Sequence, residues 1–337
     1  MITRAFHAWE RRLSTVDTNR LVRPFEWGLD WIGAPADSPD PAAAMAAWSK
    51  QSLADSDRFY AVEPTTEFTL KGKHLTFPSG LVTPHGENNV VHVRISRPKQ
   101  PKPPADQPVV VVLPQWNADA GGHVGLADLF ARFGVMACRL SLPYHDVRMP
   151  PELKRADFIV SANVGQTAQV CRQAVLDVKR TVDWLWAQGH RRIGIMGTSL
   201  GSCLSMLSIA HDERLKAAAF NHVSPYFADV VWRGISTRHV RAGLEGHVTL
   251  DALREYWMPI SPYPFTERVR GRRLLLLYAR YDLTFPVDLS KSFVEEFERL
   301  GIAHDLTVLP CGHYTTGKAP FKFLDAYVLT KFFVKNL

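Results

Sequence analysis

A serine set between two glycines, Gly197-Thr198-Ser199-Leu200-Gly201, is where residue type and spacing best suit covalent chemistry. An apolar stretch, Ile193 to Met196, runs into it, and another, Leu200 to Ala210, leads away. The reading is a serine on a sharp strand-to-helix turn, with strained backbone holding its hydroxyl out. Glycines are needed on both sides, because Cβ atoms there would meet the neighbouring strand or helix. The start of the following helix adds partial positive charge where an oxyanion would develop. Capping that helix is the alternative use of such a serine.

A serine hydroxyl is a weak nucleophile and needs a base that is itself held by an acid. Two downstream residues stand at suitable places. Asp282 follows the apolar run Leu274 to Tyr278, in a loop that continues to Pro286. His313 follows the strand pattern Ala303 to Leu309, just after Gly312. Ser, Asp and His in this chain order, each past a strand end, predict Ser199 as nucleophile, His313 as general base and Asp282 as the orienting acid. Asp288 competes for the acid's role but lies further toward the next helix. Cys311 and Cys203 are read as small packing residues.

The elements that must position these residues alternate. Val109 to Leu113 is a continuous β-branched run, the mark of a strand buried on both faces. Ala118 to Phe133 reads as a helix and Gly134 to Leu140 as a strand. Val164 to Gln188 has strong helical periodicity and is closed by Gly189. Strands at Arg192 to Met196, Leu215 to Phe220, Leu274 to Tyr278 and Ala303 to Leu309 alternate with helices at Leu200 to Ala210, Leu289 to Leu300 and Pro320 to the end. That alternation predicts an α/β fold: a mostly parallel, doubly wound sheet with helices on both faces. Before it, Glu67 to Lys71 and Val90 to Ile95 alternate as strands, and Arg97 to Pro104 is a proline-rich connector.

From about Val109 to its end the chain resembles the α/β-hydrolase superfamily, and more loosely its dienelactone-hydrolase-like and prolyl-oligopeptidase-like esterases. The elbow at Ser199, the Asp282 loop with Pro286, and Gly312-His313 carry the resemblance. It implies a serine hydrolase working through an acyl-enzyme, with no metal or organic cofactor, and does not select the substrate. A small-molecule carboxylic ester is the expected one, because it asks least of the leaving group. Where the family usually has His-Gly after the strand Val109 to Leu113, this chain has Pro114-Gln115-Trp116-Asn117. The N–H of Leu200 is one expected oxyanion donor, and that of Trp116, with Gln115 as the alternative, is the second. Pro114 has no N–H to give. His145, His123 and Tyr314 are candidate pocket-lining residues. Amide, peptide or thioester cleavage and acyl transfer are alternatives on the same triad, and a silent binding module is the non-enzyme alternative.

The remaining sequence bounds these readings. Residues 1–60, with Trp9, Phe25, Trp27 and Trp31, read as a helical extension packed on a catalytic domain of 61–337. About fifty residues, 222–271, are too many for a usual connection and predict a helical cap over the strand ends. His222, His239 and His247 are assigned there to surface or packing. Arg233, Arg238, Arg241 and Arg254 make the cap basic, either as solvated surface or as partners of an anionic substrate group. In the last helix Phe321, Leu324, Tyr327, Val328 and Phe332 are read as core. The 337 residues carry a net charge of +7, but no long basic tract, so nucleic acid is not an expected partner. No apolar run reaches membrane-spanning length, no signal-peptide pattern opens the chain, and four widely spaced cysteines fit free thiols. The cytoplasm is the expected compartment, and the sequence leaves oligomeric state open.

Overall fold

The four valines from Val109 to Val112 lie in the middle strand of a nine-stranded sheet, and every residue from Pro108 to Leu113 is buried. The computed structural model describes residues 1–337. In chain order the strands are β1 (Thr69–Lys71), β2 (His74–Pro78), β3 (Val90–Ser96), β4 (Pro108–Leu113), β5 (Met136–Leu140), β6 (Arg192–Thr198), β7 (Leu215–Asn221), β8 (Arg273–Ala279) and β9 (Asp305–Leu309). Their spatial order is β1-β2-β3-β5-β4-β6-β7-β8-β9. The first three pairings are antiparallel, and all five from β5–β4 to β8–β9 are parallel. β2 lies outside the alternation that the sequence predicts, because only Leu75 and Phe77 give it a buried face.

The helices are α1 (Ile2–Ser14), α2 (Pro41–Ala54), α3 (Ser56–Phe59), α4 (Val124–Arg132), α5 (Val164–Ala187), α6 (Leu200–Ala210), α7 (Phe227–Arg233), α8 (Arg238–Leu244), α9 (Leu250–Tyr256), α10 (Val287–Arg299), α11 (His313–Thr316) and α12 (Phe321–Asn336). α4 and α12 cover one face of the sheet, with Phe130, Leu329 and Phe333 against Val110, Val112 and Leu275. α5, α6 and α10 supply the other face. Leu29, Met45, Phe59 and Tyr60, from the first sixty residues, belong to that same core. The last helix has two characters. Phe332 is buried, as the spacing predicts, but Leu324 and Tyr327 face outward beside Phe323, because the sheet is covered only by the later turns.

All eleven residues of α6 are buried although three are serines. Each hydroxyl finds a carbonyl about one turn back: Ser202 to Ser199, Ser205 to Ser202 and Ser208 to Leu204, at 2.7, 2.9 and 2.7 Å. A buried hydroxyl without such a partner would cost about 1–3 kcal/mol.

Candidate active site

Three strand ends and one sharp turn bring the predicted residues together. Ser199 joins β6 to α6 with φ 58° and ψ −118°, a conformation that costs about 1–3 kcal/mol unless its surroundings hold it. They do: the Ser199 N–H donates to Asn221 O at 2.8 Å, fixing the turn to the end of β7. The glycines have the expected reason. A Cβ on Gly197 would lie 1.8 Å from Gly201 O, and one on Gly201 would lie 2.4 Å from Leu113 O.

His313 opens α11 directly beyond β9, and its Nε2 lies 3.0 Å from Ser199 Oγ. Its Nδ1 lies 2.9 Å from Asp282 Oδ2. Asp282 sits in the loop after β8, 3 % exposed, and its Oδ1 accepts from the N–H groups of Thr284 and Phe285 at 2.7 Å each. Asp288 is elsewhere, paired with Arg233 at 2.8 Å and largely exposed.

A second histidine shares the carboxylate. His222 Nδ1 lies 3.0 Å from Asp282 Oδ2, and its ring centroid is 4.2 Å from that of His313. The assignment of His222 to the cap's surface or packing is therefore corrected. It is fully buried, at φ 66°, immediately beyond β7. The signal was present, since the strand-end rule applied to Asp282 and His313 also marks the residue after Leu215 to Asn221.

These environments separate the two imidazoles. Burial pulls His313 down, but the charge of Asp282, its hydrogen bond and the carboxylate of Glu10 outweigh burial and raise its pKa. Burial and the neighbouring His313 lower the pKa of His222, despite its bond to Asp282. Burial opposes ionisation of Asp282, yet the charge on His313 and the hydrogen bonds from both histidines leave its carboxyl well below the usual range. His222 thus stays neutral, with Nδ1–H donated to the carboxylate. Replacing it by Phe removes that donor and concentrates the anion on His313. The acid limb of any His313-dependent activity should then move up by roughly 0.5–1 pH unit. A pH–rate profile identical to wild type would refute this role.

The turn bearing His313 is held by the N-terminal helix. Glu10 of α1 is fully buried and accepts from Tyr314 N–H at 3.0 Å, Thr315 N–H at 2.9 Å and Thr315 Oγ1 at 2.9 Å. It thereby satisfies backbone donors that a helix start leaves unpaired. No local pattern around Glu10 marks this role. Glu10→Ala should cost roughly 2–4 kcal/mol and lower turnover, because the His313 turn loses its anchor. Denaturant titration alongside kcat tests this, and an unchanged midpoint with full activity would contradict it.

Trp116 and Gln115 follow β4 and line a cavity of about 850 Å³ that reaches Ser199, Leu200, His313, Tyr314 and His123. Their backbone N–H groups have no partner within the protein, whereas that of Asn117 donates to His145 Nε2 at 2.9 Å. His145 does not reach the cavity: it is fully buried, with Nδ1 2.8 Å from Pro143 O, and braces the loop from behind. His123 lines the cavity with Nε2 2.9 Å from Thr198 Oγ1. Its pKa is lowered to about 4 by burial and then by Arg139, so it is neutral.

None of Arg233, Arg238, Arg241 and Arg254 lines the cavity. Arg233 pairs with Asp288, Arg241 with Glu245 and Arg254 with Asp229, while Arg238 is exposed. Opposite charges within their own neighbourhood take them up. His239 is buried and stacks on Trp116 at 5.7 Å, and His247 stacks on Phe25 at 4.5 Å. All four cysteines are buried and unpaired, and burial pushes the Cys311 thiol up to about 12. His222, Asp282 and His313 are the only His, Cys, Asp or Glu group with ligand atoms close enough for a metal, within 4.8 Å. Those atoms are already spent on one another as Nδ1–H donors and carboxylate acceptor. No helix is long and apolar enough to cross a membrane.

No protein-family model matches the chain, and no curated protein does. Solved structures do. Acetyl xylan esterase 1 from a Thermoanaerobacterium species matches with TM-score 0.61 and 14% identity, over 96% of this chain and 98% of that one. The acetyl xylan esterase of Paenibacillus sp. R4 matches with TM-score 0.61 and 15% identity, over 97% and 99%. The acylaminoacyl peptidase of Pyrococcus horikoshii matches with TM-score 0.62 and 16% identity, over 81% of this chain. The chain spans 42% of that peptidase, less than half its length.

Proposed function

We propose that this chain is a serine hydrolase that cleaves carboxylic esters through an acyl-enzyme. Its fold is that of the α/β-hydrolases, shared with esterases and a peptidase of low sequence identity. The observation that carries the reading is the unbroken line from Ser199 Oγ through His313 to Asp282, 3.0 and 2.9 Å, at a strained turn facing a cavity. His313 Nε2 accepts the Ser199 proton as Oγ attacks the ester carbonyl. The resulting oxyanion is held by the N–H of Leu200, at the first position of α6, and by that of Trp116. One such donor is worth about 2.7–4 kcal/mol in comparable sites. His313 then gives its proton to the departing alcohol and, in the second half, activates water that releases the acid. Asp282 keeps Nδ1 protonated and stabilises the imidazolium.

The ester bond is favoured over an amide because its alcohol leaves more readily, and two structural matches that span nearly all of both chains are named acetyl xylan esterases. Hydrolysis of p-nitrophenyl esters of graded acyl length tests the reading. Turnover of short or medium chains is expected. Absence of turnover for every ester, with folded protein, would overturn it.

A further inference from the structure

Four cationic residues that this reaction does not use line the same cavity: Arg20, Lys154, Arg155 and Lys322. Arg20 belongs to the segment after α1, and Lys154 and Arg155 to the segment between β5 and α5. Arg20 Nη2 donates to the hydroxyl of Tyr314, the neighbour of His313, at 2.9 Å. The guanidinium of Arg155 lies over the ring of Trp116 at 5.1 Å, and its side chain is 5 % exposed. Both arginines therefore stand against residues adjoining the reacting groups.

Their donors are incompletely used. The Nε atoms of Arg20 and Arg155 are buried without a hydrogen-bond acceptor, as are both ring nitrogens of His239 on the face of Trp116. Arg155 Nε is 3.7 Å from Asp157 Oδ1, an ion pair but too long for a hydrogen bond, while Arg23 holds the other oxygen of Asp157 at 3.0 Å, and Arg155 Nη1 donates to Asn19 Oδ1 at 3.0 Å. The carboxylate that approaches both guanidiniums is Asp17, 3.4 Å from each and 47 % exposed. Two carboxylates, Asp17 and Asp157, thus face three guanidiniums, Arg20, Arg23 and Arg155, and positive charge is left over. Buried donors without acceptors are rare in folded proteins and call for a partner. Planar guanidinium forks suit carboxylate and phosphate oxygens in particular.

We propose that this cluster is an anion subsite: the substrate is an ester bearing a carboxylate or phosphate, which Arg20 and Arg155 receive while its carbonyl lies at Ser199. The proposal rests on the serine hydrolase reading for its substrate class. The apolar part of the cavity, with Met206, Val223, Phe227, Val231 and Phe293, takes the acyl chain. Asp17, half-exposed and held only by long bonds of 3.4 Å to the two arginines, swings out as the substrate anion enters.

The test uses matched esters of one acyl group. 4-Butyryloxybenzoate is compared with its methyl ester, and 4-butyryloxyphenyl phosphate with 4-methoxyphenyl butyrate. At least one anionic ester should show kcat/KM about ten-fold above its neutral partner, carried by KM, since hydrogen bonds to charged groups are worth that much. The preference should shrink as salt rises. Arg20→Gln and Arg155→Gln should bring the ratio toward one, and the exposed Lys154→Gln should reduce it without burdening folding. Equal rates within both pairs, or a preference that survives in the Arg20→Gln/Arg155→Gln protein, would overturn the subsite. Calorimetric titration of Ser199→Ala with the same four esters separates this from the hydrolase reading. Tighter binding of an anionic ester supports the subsite even if wild type cleaves none, and equal binding refutes it whatever the turnover.

Discussion

Ser199→Ala is expected to lower kcat for ester hydrolysis by about six orders of magnitude, the loss typical when the nucleophile of such a unit is removed. The residual rate would come from the oxyanion donors and binding alone. Folding should be almost untouched. The Ser199 side chain bonds only to His313 in this structure, and the bond that fixes the turn, from its N–H to Asn221 O, is made by backbone. A change in stability within about 1 kcal/mol is therefore expected. Thermal unfolding with initial rates tests both halves. A folded variant that keeps a hundredth of the activity would mean that another group attacks the carbonyl.

Asp282→Asn should lower kcat by about four orders of magnitude, as the wrong imidazole tautomer is then favoured. The geometry makes this substitution worse than a loss of charge. Oδ1 accepts two backbone N–H groups and Oδ2 accepts two imidazole N–H groups. An amide offers one oxygen and one NH2, so either orientation sets a donor against two donors. Stability should fall by roughly 3 kcal/mol along with activity. The pH profile of wild type follows from the same site. His313 acts as a base only when neutral, and Asp282 raises its pKa. Activity should therefore rise with pH through an apparent value above the ordinary imidazole value of about 6.5. An Asn variant with a tenth of wild-type activity, or an acid limb well below 6.5, would contradict this assignment.

Geometry that depends on local sequence was legible. Gly197 and Gly201 mark a turn whose sterics forbid side chains, and apolar runs locate the strands that end at Ser199, Asp282 and His313. α5 and α6 start and stop almost as their periodicity predicts. What was hidden depends on contacts between distant segments. Glu10 reaches a turn some three hundred residues away, and nothing beside it in the chain announces that partner. Arg20 and Arg155 look like ordinary charged loop residues until the fold sets the first against Tyr314 and the second against Trp116. Arg233, Arg238, Arg241 and Arg254 are the opposite case: clustered in sequence, they are each occupied by a local carboxylate or exposed, the surface alternative of the two that the sequence leaves open. β2 escaped because a five-residue strand with two buried apolar residues gives too short an alternation.

Labelling with a fluorophosphonate, followed by mass-spectrometric mapping of the adduct, tests the central claim most directly. The reagent reacts with a serine only when a base and an oxyanion site activate it. The account predicts one adduct per chain, on Ser199, abolished in Ser199→Ala and lost in parallel with ester turnover. Folded wild-type protein that takes no label, or carries it on another residue, would contradict the account.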